Sequence, residues 1–431
     1  MGGSVWGASW LGSYLAVGGY KDTNSHYVVG ERIQEANTIQ IWHVPLASAG
    51  SSTSASSTSA AGKSKRRQKM SRDHDDDDVD DADDNTNGTN KKNGSAPASP
   101  RLALLLEHQW GPCFNLEWWP GSASSVHDNT SPLLGILGGC FGDGAFRLLA
   151  VPRPTPDIDE PVVLQVQSVL MKAYRPDTTY FCFTFGGDRR VALGCANGFI
   201  TIYDIPWALA NPVDPEPMAH FPAHDAFVRD VSFESGAEVP NVLSTSGADG
   251  RLNVWDLRDL FVPIPLFRAR AFLMSCEWSK CADSVYFADS DHALRVYRMP
   301  DIRGSAVLLM HRSTIWSQCT SAHHPFLVTA SADGLVKAVN AHRVRHRVVK
   351  PASLLALSVS VIDPQGTFQY RDNLGYEEFD GSLLKKEAGY VLKSDQRVAL
   401  QTASWNPERR HAGWIAVGGA NGIVSILNLE Q

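Results

Sequence analysis

The sequence predicts an all-β fold, a β-propeller of seven blades, and three observations support this prediction. A tight Asp-Gly or Asn-Gly turn followed by a strand of alternating residues recurs along the chain. An apolar strand precedes each turn, and a further strand containing an aromatic residue precedes that one. The turn residues Asp143, Asn197, Asp249, Asp291 and Asp333 lie 42 to 54 positions apart, and a four-stranded blade takes about 40–45 residues.

The repeated unit is a hairpin turn together with the strand that follows it. Asp-Gly and Asn-Gly supply the positive φ angles of a tight hairpin whose twist suits the flanking strands. After the turn in 248–257, Leu252 and Val254 point to one side of the strand, and Arg251 and Trp255 point to the other. The seven copies, of which the first is degenerate, are 36–44, 142–151, 196–205, 248–257, 290–299, 332–341 and 420–429.

The outer strands and the last blade are less regular. Segments that follow the repeated units predict the fourth strands, for example 102–108, 161–168 and 305–310. The long interval from Asp333 to Asn421 has room for an eighth blade, but it holds no second turn with an alternating strand. We therefore predict a loop at 364–397 within the last blade. Residues 1–3 are too few for a strand, so we expect a three-stranded last blade, completed by upstream residues or by a partner.

The fourth copy comes closest to the consensus of WD40 repeats, so the predicted fold class is a seven-bladed WD40-type β-propeller. His224, a hydroxyl of Thr245 or Ser246, Asp249 and Trp255 have the spacing of that family's structural hydrogen-bond network. Such residues satisfy buried polar groups that would otherwise cost about 1–3 kcal/mol each. The resemblance assigns these side chains to the structure of the blade and not to catalysis.

Composition and motifs exclude several classes of function. A formal net charge of −7 argues against strong autonomous binding to nucleic acid. The seven Cys form no CxxC pair, and the sequence has no nucleotide-binding, hydrolase or metalloprotease motif. It also has no signal peptide and no apolar run of membrane-spanning length. We therefore expect residues 1–431 to form one propeller domain with no catalytic residues, cofactor, metal, small-molecule substrate or membrane contact.

Residues 46–100 interrupt the pattern after the third strand of the first blade. They are rich in Ser, Thr and Ala, then in basic residues, and then in Asp. Such a segment cannot bury enough apolar area to offset its ordering entropy, so we predict a disordered insertion. A basic cluster within it is a candidate nuclear localisation signal, with a solvated linker as the alternative. The cluster is Lys63, Lys65, Arg66, Arg67 and Lys69.

Two further sets of residues are candidates for binding. Trp6, Trp110 and Trp316 lie at the entry to the first strand of their blades, near the channel opening of a WD40 propeller. Aromatic residues there suit a partner-binding hot spot, with core packing as the alternative. The second set is a candidate for contacts to DNA phosphates, with a charged edge that prevents aggregation as the alternative. Its members are Arg343, Arg345, Arg347 and Lys350.

The chain also resembles a known family of subunits beyond the generic repeat. The stretches that carry the resemblance are 113–122, 134–152, 266–297, 311–334 and 413–424. In their order, and in the irregular blades, they resemble the WD-repeat subunit of transcription factor TFIIIC, the RNA polymerase III assembly factor.

The resemblance implies a nuclear, non-enzymatic scaffold in the half of TFIIIC that recognises the B-box promoter element of tRNA genes. Such a subunit pairs with a second WD40-type subunit and contacts DNA indirectly or weakly. Subunits of this kind typically carry a long N-terminal extension that is not seen in this sequence, so DNA contacts of an extension are not carried over. The alternative is another nuclear WD40 adaptor, for example a chromatin subunit that reads histone tails.

Overall fold

Seven β-sheets, antiparallel except for one outer strand of the first sheet, stand side by side as blades in the computed structural model of the chain. The structure describes residues 3–22, 27–46, 99–122, 130–155, 160–166, 168–212, 215–299, 304–341, 354–362, 367–377 and 396–429. Within these ranges the longest helix is α1 (Ile205–Ala210), and no helix is long and apolar enough to cross a membrane. Short 3-10 segments occur at Pro120–Ser122, Gln396–Val398 and Arg409–His411.

The strands of each blade follow one another from the inside of the ring outwards. The innermost strands are β1 (Val5–Leu11), β5 (Cys113–Trp118), β10 (Tyr180–Gly186), β14 (Val228–Phe233), β18 (Leu273–Trp278), β22 (Ile315–Thr320) and β27 (Leu400–Trp405). The second strands are β2 (Tyr14–Gly19), β6 (Leu133–Phe141), β11 (Arg190–Cys195), β15 (Val242–Gly247), β19 (Ser284–Asp289), β23 (Phe326–Ser331) and β28 (Trp414–Gly419). The third strands are β3 (Asn37–His43), β7 (Phe146–Pro152), β12 (Phe199–Asp204), β16 (Arg251–Asp256), β20 (Ala293–Arg298), β24 (Leu335–Asn340) and β29 (Val424–Asn428).

Outer strands complete most blades. The fourth strands are β4 (Arg101–His108), β9 (Val169–Ala173), β13 (Ala219–Pro222), β17 (Asp259–Arg268), β21 (Ala306–Met310) and β25 (Leu354–Ile362). The first and sixth blades each have a fifth strand, β8 (Val162–Gln165) and β26 (Phe368–Glu377) respectively.

The ring closes between the first and the seventh blade. Each innermost strand contacts the innermost strands of both neighbouring blades, and β27 packs against β1. The indole Nε1 of Trp10 donates a hydrogen bond to the carbonyl oxygen of Ser404 at 3.2 Å. The Asn406 side chain donates to the carbonyl oxygen of Gly12 at 2.8 Å. The predicted seven-bladed propeller is therefore confirmed.

Buried aromatic residues near the end of the innermost strands fill the space between adjacent blades. The indole N–H of Trp118 donates to the carbonyl oxygen of Ser9 in the preceding blade at 3.1 Å, and Trp405 donates to that of Cys319 at 3.0 Å. Each indole thus buries a large apolar surface and satisfies its donor across the boundary between blades. The buried aromatic residues at this position are Trp10, Trp118, Phe185, Phe233, Trp278 and Trp405.

The tight turn between the second and third strands is held by its Asp or Asn side chain. In blade four, Asp249 Oδ1 accepts the backbone N–H of Arg251 at 3.1 Å, and Gly250 has a φ of +78°. In that pair of turn residues, only the glycine has a positive φ. Blade five has no glycine there, and His292 takes a φ of +65°, a conformation that L-residues rarely adopt. The same acceptor role is played by Asp143, Asn197, Asp333 and Asn421.

The outer strand of the second blade differs from the prediction. We predicted it at 161–168, but β9 pairs with β7 in that place. β8 runs parallel to β4 and extends the first blade instead. Both segments are short and mainly apolar, so the local pattern does not distinguish them. Packing decides, because Met171 and Ala173 of β9 are buried in the core of the blade, whereas Val163 of β8 stays 54% exposed.

The interval before the last blade also differs from the prediction. Residues 368–377, within the predicted loop 364–397, form β26 and pair with β25. The prediction of a loop was wrong for this part, and the strand belongs to the sixth blade. The strand was missed because pairing at the edge of a sheet depends on residues that are distant in the chain, and no Asp-Gly or Asn-Gly turn in the sequence marks it. Within the described residues the last sheet has three strands, β27, β28 and β29, as predicted.

The insertion begins and ends between the third and fourth strands of the first blade. β3 and β4 pair directly, with His43 opposite Arg101 at the point where the insertion leaves. This point lies on the face of the ring opposite the turns between second and third strands, because successive strands are antiparallel. Residues 47–98 lie outside the described part of the chain, so the disorder predicted for 46–100 stays a prediction.

Candidate functional site: the mouth of the channel

A β-bulge occurs at the same place in every blade and frees one side chain of each innermost strand. In β14, Val228 pairs with Gly247 and Asp230 with Ser246, so Arg229 has no partner in the ladder. A bulge leaves its extra residue unpaired and re-aims the side chain. The seven residues at this position, which we call the mouth ring, are Trp6, Phe114, Phe181, Arg229, Met274, Trp316 and Gln401.

The aromatic members of the mouth ring contact one another, some of them across the channel. Trp6 and Trp316, from blades one and six, meet edge to face with ring centroids 5.7 Å apart. Phe114 and Phe181 lie 5.2 Å apart. Tyr20 joins the two pairs, since it stacks on Trp6 at 5.4 Å and meets Phe114 at 6.3 Å. The result is a continuous aromatic wall around one end of the channel.

The mouth ring surrounds a cavity of about 910 Å³. All of its members except Met274 line the cavity, together with the loop that joins β2 to β3. Val28 of that loop is 69% exposed, and Ile423 of the last blade is 48% exposed. The volume lies in the range of about 300–1,000 Å³ in which proteins bind ligands, and an apolar lining with a few polar groups is typical of such sites.

Arg229 is the cation of the mouth ring; it is partly buried, and the neighbouring Asp230 acts on its charge without forming an ion pair. Its guanidinium carbon lies 5.6 Å from the ring centre of Phe181 and 5.7 Å from those of Phe227 and Trp316. Within the described residues it forms no ion pair, and its Nε is buried without a hydrogen-bond partner. Burial lowers the pKa of Arg229, because the surroundings disfavour the charged form. Each contact between a cation and an aromatic ring stabilises by only about 0.5–2 kcal/mol, whereas the desolvation of an ion costs several kcal/mol.

The carboxylates further along the innermost strands accept hydrogen bonds from neighbouring blades. Asp230 accepts the backbone N–H of Cys276 at 3.1 Å, and Glu277 accepts the N–H and hydroxyl of Thr320 at 2.9 and 2.7 Å. Burial raises the pKa of Asp230 to about 7. These groups join blades four, five and six, and neither forms an ion pair with Arg229.

In blade four the structure assembles a chain of hydrogen bonds from the residues singled out in the sequence. His224 Nδ1 lies 3.0 Å from Asp249 Oδ1, and its Nε2 lies 2.9 Å from Thr245 Oγ1. The indole of Trp255 donates to the same Thr245 oxygen at 3.1 Å. Burial raises the pKa of Asp249, but hydrogen bonds from His224 and from two backbone N–H groups outweigh burial and lower the pKa to about 2. The hydroxyl in the network is that of Thr245, not Ser246.

Blade six holds a second network of this kind, which sequence reasoning missed. His311 Nδ1 lies 3.0 Å from Asp333 Oδ2, and its Nε2 lies 2.8 Å from Thr329 Oγ1. Val339 takes the strand position that Trp255 has in blade four, so no indole joins. The signal was present, since a histidine precedes the innermost strand and an Asp-Gly turn follows the second strand.

The three tryptophans predicted to lie at equivalent positions do not all lie at the mouth of the channel. Trp6 and Trp316 belong to the mouth ring, but Trp110 precedes β5 and packs in the core of the first two blades, with Arg147 over its ring at 4.2 Å. Phe114 holds the position equivalent to Trp6 and Trp316. The proposed equivalence of Trp110 was therefore wrong, because it was aligned four residues too early. The basic candidates outside the described residues are Arg343, Arg345, Arg347, Lys350, Lys63, Lys65, Arg66, Arg67 and Lys69.

The two histidine networks coincide with a known repeat. The family described as WD domain, G-beta repeat matches residues 215–256 and 305–338. These two segments contain the networks of blades four and six, and the seven blades show the matching fold. The chain is therefore a seven-bladed propeller that contains WD40 repeats.

This WD40-repeat protein is similar to two fungal transcription factor subunits. Transcription factor tau subunit sfc6 of Schizosaccharomyces pombe is 25% identical over 339 residues, which are 76% of this chain and 54% of that protein. The transcription factor tau 91 kDa subunit of Saccharomyces cerevisiae is 24% identical over 242 residues, 55% of this chain and 33% of that protein. The aligned part thus spans about half of the first relative and a third of the second. The predicted resemblance to the WD-repeat subunit of TFIIIC, or tau, is confirmed.

Proposed function

We propose that this WD40-repeat protein is a non-enzymatic, nuclear scaffold subunit of TFIIIC. In this role it supports recognition of the B-box promoter element and transcription of tRNA genes by RNA polymerase III. The observation that carries the proposal is the similarity to a tau subunit over 76% of the chain.

The mouth ring is the proposed surface for protein partners, which include a second WD40-type subunit of the complex. Tryptophan and arginine are enriched among the residues that dominate binding energy at protein interfaces, and Trp6, Arg229 and Trp316 occur together here. Within the described residues no group of His, Cys, Asp or Glu side chains could hold a metal ion. The buried histidines of blades four and six are bonded within their own blades. These features suit binding better than catalysis.

Contact with DNA is indirect or weak in this proposal. The chain carries a formal net charge of −7, which opposes association with a polyanion. The basic segment with Arg343, Arg345, Arg347 and Lys350 remains the candidate for phosphate contacts. Binding through such contacts falls steeply as the salt concentration rises.

A reader of histone tails is the less favoured alternative. Such a reader must accept lysine or arginine side chains, which carry positive charge. Arg229 places a positive charge inside the mouth ring and would repel them. The geometry therefore favours the scaffold over the histone-tail reader.

Purification of the tagged chain from its own cells tests the proposal. We expect the other TFIIIC subunits to co-purify at physiological salt, and we expect cross-linking of the tagged chain to tRNA genes in chromatin. Cells with the untagged chain provide the control. Recovery of a histone-modifying complex without TFIIIC subunits would contradict the proposal.

A further inference from the structure

We propose that the mouth ring binds an acidic side chain, a glutamate or aspartate flanked by apolar residues, in a segment of a partner protein. Arg229 is the counter-ion for that carboxylate. The inference rests on the proposed function, in which the mouth ring is a surface for protein partners, and it adds the chemistry of the partner.

Charge complementarity is the first argument. A buried cation is costly unless it is paired and hydrogen-bonded. The described residues supply aromatic rings around Arg229 but no carboxylate in ion-pair contact. The adjacent carboxylate, Asp230, is already held by the backbone N–H groups of Cys276 and Val231. The planar guanidinium presents a fork of N–H donors that matches a carboxylate.

Further unsatisfied groups surround the same cavity. Trp6 Nε1 and Gln401 Oε1 are buried and have no hydrogen-bond partner within the described residues. Both residues line the cavity together with Arg229. A donor and an acceptor placed beside a cation suit the second carboxylate oxygen and the backbone of a bound peptide. Buried polar groups are normally paired, so a ligand that enters this cavity must offer polar atoms to these three groups.

The rim explains why the acidic residue needs apolar neighbours. Val28 and Ile423 are largely exposed at the edge of the cavity. Apolar side chains beside the acidic residue would cover them and exclude water from the ion pair. A nucleic acid would offer phosphates but no aliphatic side chains to cover Val28 and Ile423. A peptide therefore fits the cavity better than a nucleic acid.

The acidic run of this chain is not the favoured occupant. The insertion that contains it begins and ends where β3 and β4 meet, at His43 and Arg101. That point lies on the face opposite the mouth ring, because the mouth ring sits at the beginning of the innermost strands. The occupant is therefore a segment of a partner chain, and deletion of 48–98 serves as a control.

Selection from a displayed library of random 12-residue peptides tests the inference on the purified 431-residue chain. Clones are selected on the wild type and depleted on Arg229→Met. The best clone is then synthesised with its acidic residue as Glu, as Gln and as Lys. Binding of each peptide is measured by fluorescence anisotropy to the wild type, Arg229→Met, Arg229→Lys, Trp316→Ala and the matched surface control Arg258→Met, whose arginine is 72% exposed.

We expect enriched clones to carry Asp or Glu beside apolar residues, and the Gln peptide to bind the wild type at least tenfold more weakly. The Glu and Gln peptides should bind Arg229→Met with equal affinity, because this variant has no guanidinium to pair with the carboxylate. Arg229→Lys should recover part of the affinity, and Arg258→Met and the deletion of 48–98 should change nothing. Trp316→Ala should weaken all peptides. Arg229→Met should melt no lower than the wild type, which shows that a loss of binding is not a loss of fold.

Other results would overturn the inference. Enrichment of basic or uncharged peptides, or equal binding of the Glu and Gln peptides to the wild type, would exclude a carboxylate ligand. Tighter binding of a single-stranded oligonucleotide than of any selected peptide, sensitive to Arg229→Met, would assign the mouth ring to nucleic acid. A failure of the proposed function would be distinguishable from a failure of this inference. In that case the chain would not co-purify with TFIIIC subunits, whichever peptides the purified chain binds.

Discussion

Replacing Thr245 by Val tests whether the hydrogen-bond network of blade four stabilises the propeller as a unit. Valine has nearly the shape of threonine, and position 245 is fully buried, so the change removes a hydroxyl and leaves almost no cavity. The lost oxygen serves His224 Nε2 at 2.9 Å and Trp255 Nε1 at 3.1 Å. Each orphaned buried group costs about 1–3 kcal/mol. The expected loss in the free energy of unfolding for the two groups is therefore about 2–6 kcal/mol.

Blade six provides the matched control. Thr329 is equally buried and serves His311 Nε2 at 2.8 Å, but no indole donates to it because Val339 takes that position. Thr329→Val thus orphans one ring nitrogen and removes a long hydroxyl contact of 3.3 Å to the carbonyl oxygen of Lys337, an atom on the neighbouring strand of the ladder, whereas Thr245→Val orphans two nitrogens. We expect it to lose about 1–3 kcal/mol less than Thr245→Val, the cost of one orphaned group.

Urea denaturation followed by intrinsic fluorescence measures the difference between the variants and the wild type. Hydrogen exchange at the amides of β15 and β16 shows whether the loss begins in blade four. A chain of this size can unfold in stages, so the exchange data decide the location. The reasoning is refuted if Thr245→Val stays within about 0.5 kcal/mol of the wild type, the usual range for neutral substitutions, or loses no more than Thr329→Val.

Four further outcomes follow from the structure. Arg229→Met should unfold at a temperature equal to or above that of the wild type in differential scanning fluorimetry, because it removes an unpaired buried charge; a clear fall would assign Arg229 a structural role. The pKa of Asp230 in the folded state is raised from 3.8 to about 7, so the protonated carboxyl stabilises the fold fully below pH 4, and this contribution is lost as the pH rises through 7. Relative to Asp230→Asn, the free energy of unfolding of the wild type should fall by at most about 4 kcal/mol between pH 4 and 8. A difference between the two proteins that does not change with pH would contradict this. Deletion of 48–98 should shift the melting temperature by no more than a few degrees, because closure entropy grows slowly with loop length; a larger fall would show that the segment packs on the blades. The purified chain should not shift a B-box duplex near physiological salt in a gel assay, and a tight shift there would refute indirect DNA contact.

The blades could be predicted from local sequence, whereas their outer edges could not. The Asp-Gly turn at 249 and the alternation of the strand after it are local properties, and they lie where the structure has a turn and β16. The segments 162–165 and 169–173 both read as strands, but only packing against distant residues decides which blade each one joins. The strand at 368–377 escaped prediction for the same reason.

The candidate site was predicted only in part. Trp6 and Trp316 were singled out, but Trp110 was placed with them and Arg229 was overlooked. The missing information was the position of the bulge, which depends on the register between the first two strands of each blade. Aligning the seven innermost strands by their first buried residue would have brought Phe114 and Arg229 into the set.

By itself the sequence determined the fold class, the number of blades and the histidine network of blade four, because turns and alternation act over a few residues. Only the tertiary structure decided which side chains meet in the channel. Arg229 and Trp316 come from blades four and six, and they meet because the ring closes between blades one and seven. Closure brings together residues that are far apart in the chain. A local sequence pattern therefore cannot predict whether a charged side chain in the channel has an ion-pair partner.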